Sequence, residues 1–206
     1  MDKGYSITRL DRSHIKAIST LAAAAFYDDP EAVHIIPDDE KRKRLLGYLY
    51  EFGVRYGIMY GEGYATSSNL EGFAILLRSE DTEISLWRLM RVGFFPLCRK
   101  VGIRIVWRLM YFVLHAALLQ DNHLAGRHWR LFLIAVDPPH QGKGCAGALL
   151  RHTLNRVDDE RLPCYTDTFN EKNVSMYERF GFKLAHSGLV PRTTLNVWAL
   201  VRTNPA

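Results

Sequence analysis

Apolar residues recur along this chain at two different periods, and the switches between them divide it into elements. Residues 5–10 (YSITRL) alternate apolar with polar side chains and predict a first strand. Ile15, Ile18, Leu21, Ala22 and Ala25 follow at helical spacing, with Asp11 or Ser13 as the cap and Asp28-Asp29-Pro30 as the stop. A second helix is predicted from Asp38 or Asp39 through Tyr56, because acidic residues in its first turn suit the helix macrodipole. Residues 57–62 and 72–78 predict two strands of a hairpin joined through residues 63–71.

Residues 84–120 are different in character. They carry Arg88, Arg91, Arg99, Lys100, Arg104 and Arg108 and no acidic residue, on a background of Leu, Phe, Trp and Val. Pro96 and Gly102 are expected to split the stretch into helices. Its longest uncharged run, residues 109–120, falls short of the roughly 20 residues a membrane span needs. Helices that cover the sheet or roof a pocket are the favoured reading; a basic helix lying in a membrane interface is the less favoured one.

Beyond His128 the pattern becomes regular. Residues 129–136 (WRLFLIAV) are nearly all apolar, as in a central strand buried on both faces. Ala146, Leu149, Leu150, Thr153, Leu154 and Val157 then form one helical stripe. A strand at 164–169, a short helix at 174–180 and two strands at 182–189 and 195–202 complete the chain. This order predicts an α/β (α+β) fold with helices on the faces of one sheet.

At 206 residues the chain fits one domain, 1–206, large enough to bury its own core. Its 48% hydrophobic and 24% charged content is that of a globular protein, which excludes a fibrous or disordered one. The net charge of +5 favours anionic ligands but is too small and too spread for a nucleic-acid surface. Cys98, Cys145 and Cys164 have no metal-ligand spacing, so no metal is expected. The first residues lack the apolar core of an export signal, so a reducing cytoplasm is the expected location.

The sharpest local feature is the turn from Val136 to Gly147 (VDPPHQGKGCAG), between a buried strand and an amphipathic helix. A helix start leaves its first amides without partners, and glycines let an anion approach them, so this turn suits a phosphate or pyrophosphate. The nucleotide P-loop fails here, because Asp137 stands where its first glycine belongs and Gly144 where its hydroxyl belongs. Gly142-Lys143-Gly144-Cys145-Ala146-Gly147 does match the dinucleotide fingerprint, with Asp167 near the ribose position. Four residues nevertheless intervene between strand and first glycine, and no further βαβ units follow.

The same segment closely resembles the acetyl-CoA motif of the GNAT superfamily of N-acetyltransferases, Arg/Gln-x-x-Gly-x-Gly/Ala, with Gln141, Gly144 and Ala146 at its defining positions. Asn173 through Phe182 (NVSMYERFGF) resembles the family's second signature, Asn-x-x-x-Tyr-x-x-x-Gly-Phe. The likeness is strong over residues 129–182, plausible for the N-terminal elements and silent over 84–120.

The resemblance implies a mixed, mainly antiparallel GNAT-like sheet in which the central strand splays from the strand at 164–169, opening a slot for acetyl-CoA. It implies that main-chain amides of Gly142, Lys143, Gly144, Cys145, Ala146 and Gly147 hold the pyrophosphate, with Gln141 beside them. Ala135 and Val136 would pair with the pantetheine arm, and Asn173 would contact it or cap its own helix. Tyr177 becomes the expected general acid, against the plainer reading of a packed core tyrosine. Cys145 is expected to be a bystander.

An ammonium acceptor must lose a proton before it attacks. Glu31, Asp28 and Asp29, in the turn the family often places beside the acceptor, are the first candidates as base; Asp167 and His128 come next, and a water chain is an equal alternative to any one of them. The expected acceptor is a primary amine of a small molecule, with an acidic peptide or a membrane-associated acceptor using the arginines as the alternative and a homodimer left open. A non-catalytic acyl-CoA-binding module is the rival from a different functional class.

Overall fold

The computed structural model describes residues 5–82 and 85–203. Residues 1–4, 83–84 and 204–206 lie outside that description, and with them the ends of the expected 1–206 domain and the first residue of the expected 84–120 insertion. In chain order the elements are β1 (Thr8–Arg9), α1 (Ile15–Ala25), α2 (Pro30–Ile35), α3 (Asp39–Tyr60), β2 (Glu62–Ala65) and β3 (Gly72–Arg78). Helices α4 (Leu86–Val92), α5 (Phe94–Val101) and α6 (Ile103–His123) follow. The second half holds β4 (Trp129–Val136), α7 (Cys145–Asp158), β5 (Cys164–Thr168), α8 (Val174–Glu178), β6 (Lys183–Leu189) and β7 (Asn196–Arg202).

The seven strands form one sheet in the order β1-β2-β3-β4-β5-β7-β6. Every neighbouring pair is antiparallel except β4 with β5. A dinucleotide-binding fold requires a largely parallel, doubly wound sheet, so this topology removes that alternative. One core lies between the sheet and α2–α6, around Leu46, Phe52, Phe112 and Leu119. A second lies under α7, around Trp129, Leu149, Leu150 and Tyr177. The third holds α1 against β3, through Ile18, Phe73 and Ile75.

Three boundaries differ from the pattern. Helix α3 runs on to Tyr60, so residues 57–60 are helical and β2 begins only at Glu62. Gly57, expected to open a strand, sits inside the helix: a Cβ there would lie 2.6 Å from Cγ2 of Ile75, so the missing side chain lets α3 settle on β3. Helix α1 already stops at Ala25, before the expected Asp28-Asp29-Pro30 break, and Pro30 instead starts α2, with Asp29 capping the new helix by accepting from the Glu31 amide at 3.0 Å. In the basic stretch the first break is at Gly93, with φ of +103°, rather than at Pro96. Pro96 is the third residue of α5, where a helix needs no amide donor. Gly102 makes the second break as expected.

Candidate active site

Strand β4 creates the site by losing a neighbour. It pairs with β5 only at Trp129–Cys164 and Arg130–Tyr165, after which the two diverge. On its other edge the register with β3 slips between Ile75 and Leu76, leaving Phe132 as a bulged extra residue. Side chains span the opening gap: the Thr166 hydroxyl donates to the Leu131 carbonyl at 3.2 Å, and Arg130 pairs with Asp167 at 2.7 Å. Phe132, Leu133 and Ile134 are therefore half-buried, which corrects the expectation of a strand covered on both faces.

The Asp137 amide donates to the Glu71 carbonyl at 2.9 Å, which fixes the antiparallel alternation. Leu133 and Ala135 consequently turn their main-chain groups to β3, whereas Ile134 and Val136 turn theirs into the gap. Of the two residues expected to offer a backbone edge, Val136 does so; Ala135 lines the cavity but its amide and carbonyl face β3. Ile134 takes the place expected of Ala135. The alternation was available in the sequence, but its phase depends on the strand pairing.

At the mouth of the gap lies the glycine-rich turn. Gly142 (φ +72°) and Gly144 (φ +92°) occupy the left-handed region, and nothing lies within 4 Å of where a Cβ would stand on either. Gly144 caps α7 without a side chain, so the amides of Cys145, Ala146 and Gly147 have no intrahelical acceptor. Gln141 folds back and donates to the Val136 carbonyl at 3.2 Å. The Lys143 side chain is exposed, and its carbonyl accepts from Tyr5 at 2.9 Å. Cys145 is buried with its thiol directed at Tyr5 and the His140 carbonyl, so only its amide is available to a ligand. Unpartnered amides at a helix start, an open glycine cradle and a bare strand edge together fit the diphosphate and amide-bearing arm of coenzyme A.

One continuous cavity of about 1060 Å³ runs from this turn through the gap to the helices of the basic stretch. Asn173 and Tyr177 border its middle. The Asn173 side chain donates to Thr168 at 3.1 Å and makes no cap to α8, so its expected capping role is replaced by a bond that ties α8 to the end of β5. Tyr177 is buried, edge-on to Phe182, and desolvation raises its phenol pKa well above the usual value, with Thr166 opposing in part.

At the inner end, Glu31 on α2 faces the cavity beside Asp29. It is half-buried and lines the cavity wall. Desolvation first, then the charges of Asp29 and Asp167, push its pKa up to about 8, with Arg130 pulling the other way. Desolvation also raises Asp29, against the bond from the Glu31 amide. Aromatic and aliphatic side chains wall this end: Phe26 stacks on Tyr50 at 5.1 Å, and Phe112 meets Phe169 edge-on at 5.4 Å. Of the other proposed bases, Asp167 borders the cavity but is paired with Arg130; Asp28 is exposed and does not border it. His128 is buried at the start of β4, its Nδ1 at 2.8 Å from the Gly126 carbonyl and away from the cavity. Position along the chain separated none of these; the capping of α2 by Asp29, which aims Glu31, is the local signal that does.

A splayed parallel pair with a phosphate-type helix start at its mouth is the arrangement that the resemblance to GNAT acyltransferases implies. A family profile described as "Acetyltransferase (GNAT) family" matches residues 102–182. An uncharacterised N-acetyltransferase of Schizosaccharomyces pombe is 25% identical over 90% of this chain and 77% of its own length. Mycothiol acetyltransferase of Streptomyces avermitilis is 32% identical over 36% of this chain, which spans only 28% of that protein. Among solved structures, a histone acetyltransferase HPA2 and related acetyltransferase from Corynebacterium glutamicum superposes with a TM-score of 0.68 at 17% identity, covering 97% of this chain and 96% of its own. Profile, relative and fold agree: the chain is similar to the GNAT acetyltransferases, by profile over residues 102–182 and by fold over nearly its whole length.

Proposed function

We propose that this protein is an acetyl-CoA-dependent N-acetyltransferase that transfers acetyl directly to a primary amine on a small molecule with an apolar body. One observation carries the reading: a single cavity joins the unpartnered amides of α7 to Tyr177 and then to Glu31. Donor site, proton source and proton acceptor thus share one space. The amides from Gly142 to Gly147 would hold the diphosphate, and Ile134 and Val136 the pantetheine arm. Bound there, the thioester supplies an activated acyl group.

The chain's own groups supply the proton transfers. Glu31 stands in an apolar chamber with an elevated pKa, which makes it a base matched to an ammonium acceptor near neutral pH. Asp29 adds negative charge that draws a cationic amine to this end. The Tyr177 phenol stays protonated through the physiological range and so can give its proton to a departing sulfur anion. The walls of Phe26, Tyr50, Phe112 and Phe169 favour an acceptor with hydrocarbon or aromatic bulk.

Calorimetry with acetyl-CoA and a thiol-release assay over a panel of primary amines test this. Binding together with amine-dependent thiol release is the expected result. Binding with no release for any amine would make the chain an acyl-CoA-sensing module; no heat of binding on folded protein would remove the reading altogether.

A further inference from the structure

Helix α6 is apolar on two opposite faces, and only one is used by the fold. Phe112, Ala116 and Leu119 are buried on the inner face. On the outer face Ile103, Trp107, Tyr111, Leu114 and Leu118 follow one another at spacings of four, four, three and four, a continuous helical stripe. That stripe is open to solvent, with Trp107 70% and Leu118 62% exposed. Leu86 and Trp87 of α4 and Phe95 of α5 are exposed to a similar degree. Scattered surface hydrophobics are ordinary; a stripe along one helix joined by bulky residues of the two preceding helices is not.

The charge around these residues is mostly positive; Asp121, exposed at the C-terminal end of α6 one turn beyond Leu118, is the acidic exception. Arg91, Arg99, Lys100, Arg104 and Arg108 are exposed, and residues 85–120 contain no carboxylate side chain. Arg104 and Arg108 flank the α6 stripe on one side by helical geometry. Neither Arg91, Arg99 nor Arg104 has an acidic partner among the described residues. We propose that the outer face of α4–α6 docks this protein on the surface of an anionic lipid bilayer, with the apolar side chains entering the interface and the cations meeting the headgroups.

Bulky aromatics beside several cations, with a single acid in the last turn of α6, are the composition of a helix that lies in an interface. Among the described residues α6 is also the one helix long and apolar enough to cross a membrane by length and composition. Its inner face argues for lying on the bilayer instead. Gln120 accepts from Arg130 at 3.1 Å and donates to Thr82 at 3.1 Å, and Arg130 crosses the site to Asp167. A spanning α6 would pull these apart and strip the core of Phe112.

The test uses the full chain and sucrose-loaded vesicles, either phosphatidylcholine alone or phosphatidylcholine with roughly a third phosphatidylserine. The protein should sediment with the anionic vesicles, weakly with the neutral ones, and progressively less as salt is raised. Removing two cations, as in Arg99→Ala with Arg104→Ala, should lower partitioning roughly 30-fold, from about 1 kcal/mol per basic residue. Trp107→Ser with Leu118→Ser should abolish it, and neither pair should change the melting temperature because all four side chains are exposed. No sedimentation with either vesicle overturns the proposal. So does binding indifferent to the cations, or a dimer in light scattering that the same serine variants dissociate, which would give this face to a second copy. None of these outcomes depends on acetyl transfer.

Discussion

Glu31 shows how burial turns an ordinary carboxyl into a candidate base. Its raised pKa means that the folded state holds a proton the unfolded chain would release, from the normal carboxylate range up to about 8. The folded state binds more protons in that window, so Glu31's contribution to stability is complete at acid pH and is lost as pH rises toward 8. Glu31→Gln should therefore melt at a higher temperature than the parent at pH 8.5 while losing activity. The rise of kcat through about pH 8 should flatten in the same variant. A pH–rate series and a thermal melt at two pH values check both halves, and a variant keeping the alkaline rise would exclude Glu31 as base. Tyr177→Phe removes a single oxygen from a packed ring. It should lower kcat about 100-fold while leaving KM and the fold nearly unchanged, since only the proton is lost. A drop in melting temperature without a drop in kcat would return Tyr177 to a packing role.

At the scale of elements, the part-buried Arg130–Asp167 pair ties β4 to β5 where their backbones part. Arg130→Met should cost about 1–3 kcal/mol, because the part-buried Asp167 would lose its charged partner while still facing the cavity. Arg130 also lowers the Glu31 pKa, so the variant's pH–rate limb should move alkaline; chemical denaturation and the same pH series measure the two effects. The elements that make the donor site were the most legible in the sequence: β4, the turn at 137–147, α7 and α8 are coded by local composition, and the glycines fall where positive φ is required. The inner site was less legible. Helix α2 is only six residues long, too short for a periodic signal, yet it carries Glu31. The end of α3 was missed because Gly57 marks close packing on Ile75, a contact that no local pattern encodes. The phase of β4, and so the choice of Ile134 over Ala135, depended on pairing with β3, which a single strand's sequence does not contain.

Across the whole molecule, two groups of strands, β1–β4 and β5–β7, meet through two residue pairs. The amides of Ile134 and Val136 lie beyond that junction without a partner strand, so they should exchange with deuterium quickly in the free protein. They should slow markedly when acetyl-CoA is added, whereas Leu133 and Ala135, already bonded to β3, should change little; exchange followed by mass spectrometry distinguishes the two sets. An unpaired strand edge ordinarily invites another polypeptide. Here the edge is recessed in a cleft, so a whole strand cannot reach it but a slender chain can. Like groups along it recur at about 6.8 Å, two residues of extended backbone. A carrier with amides at that repeat would extend the sheet as an artificial strand, while a carrier without them would leave polar groups dehydrated and unsatisfied. Selection among acyl donors would then act on the handle that bears the acyl group, and would be complete before the acceptor arrives.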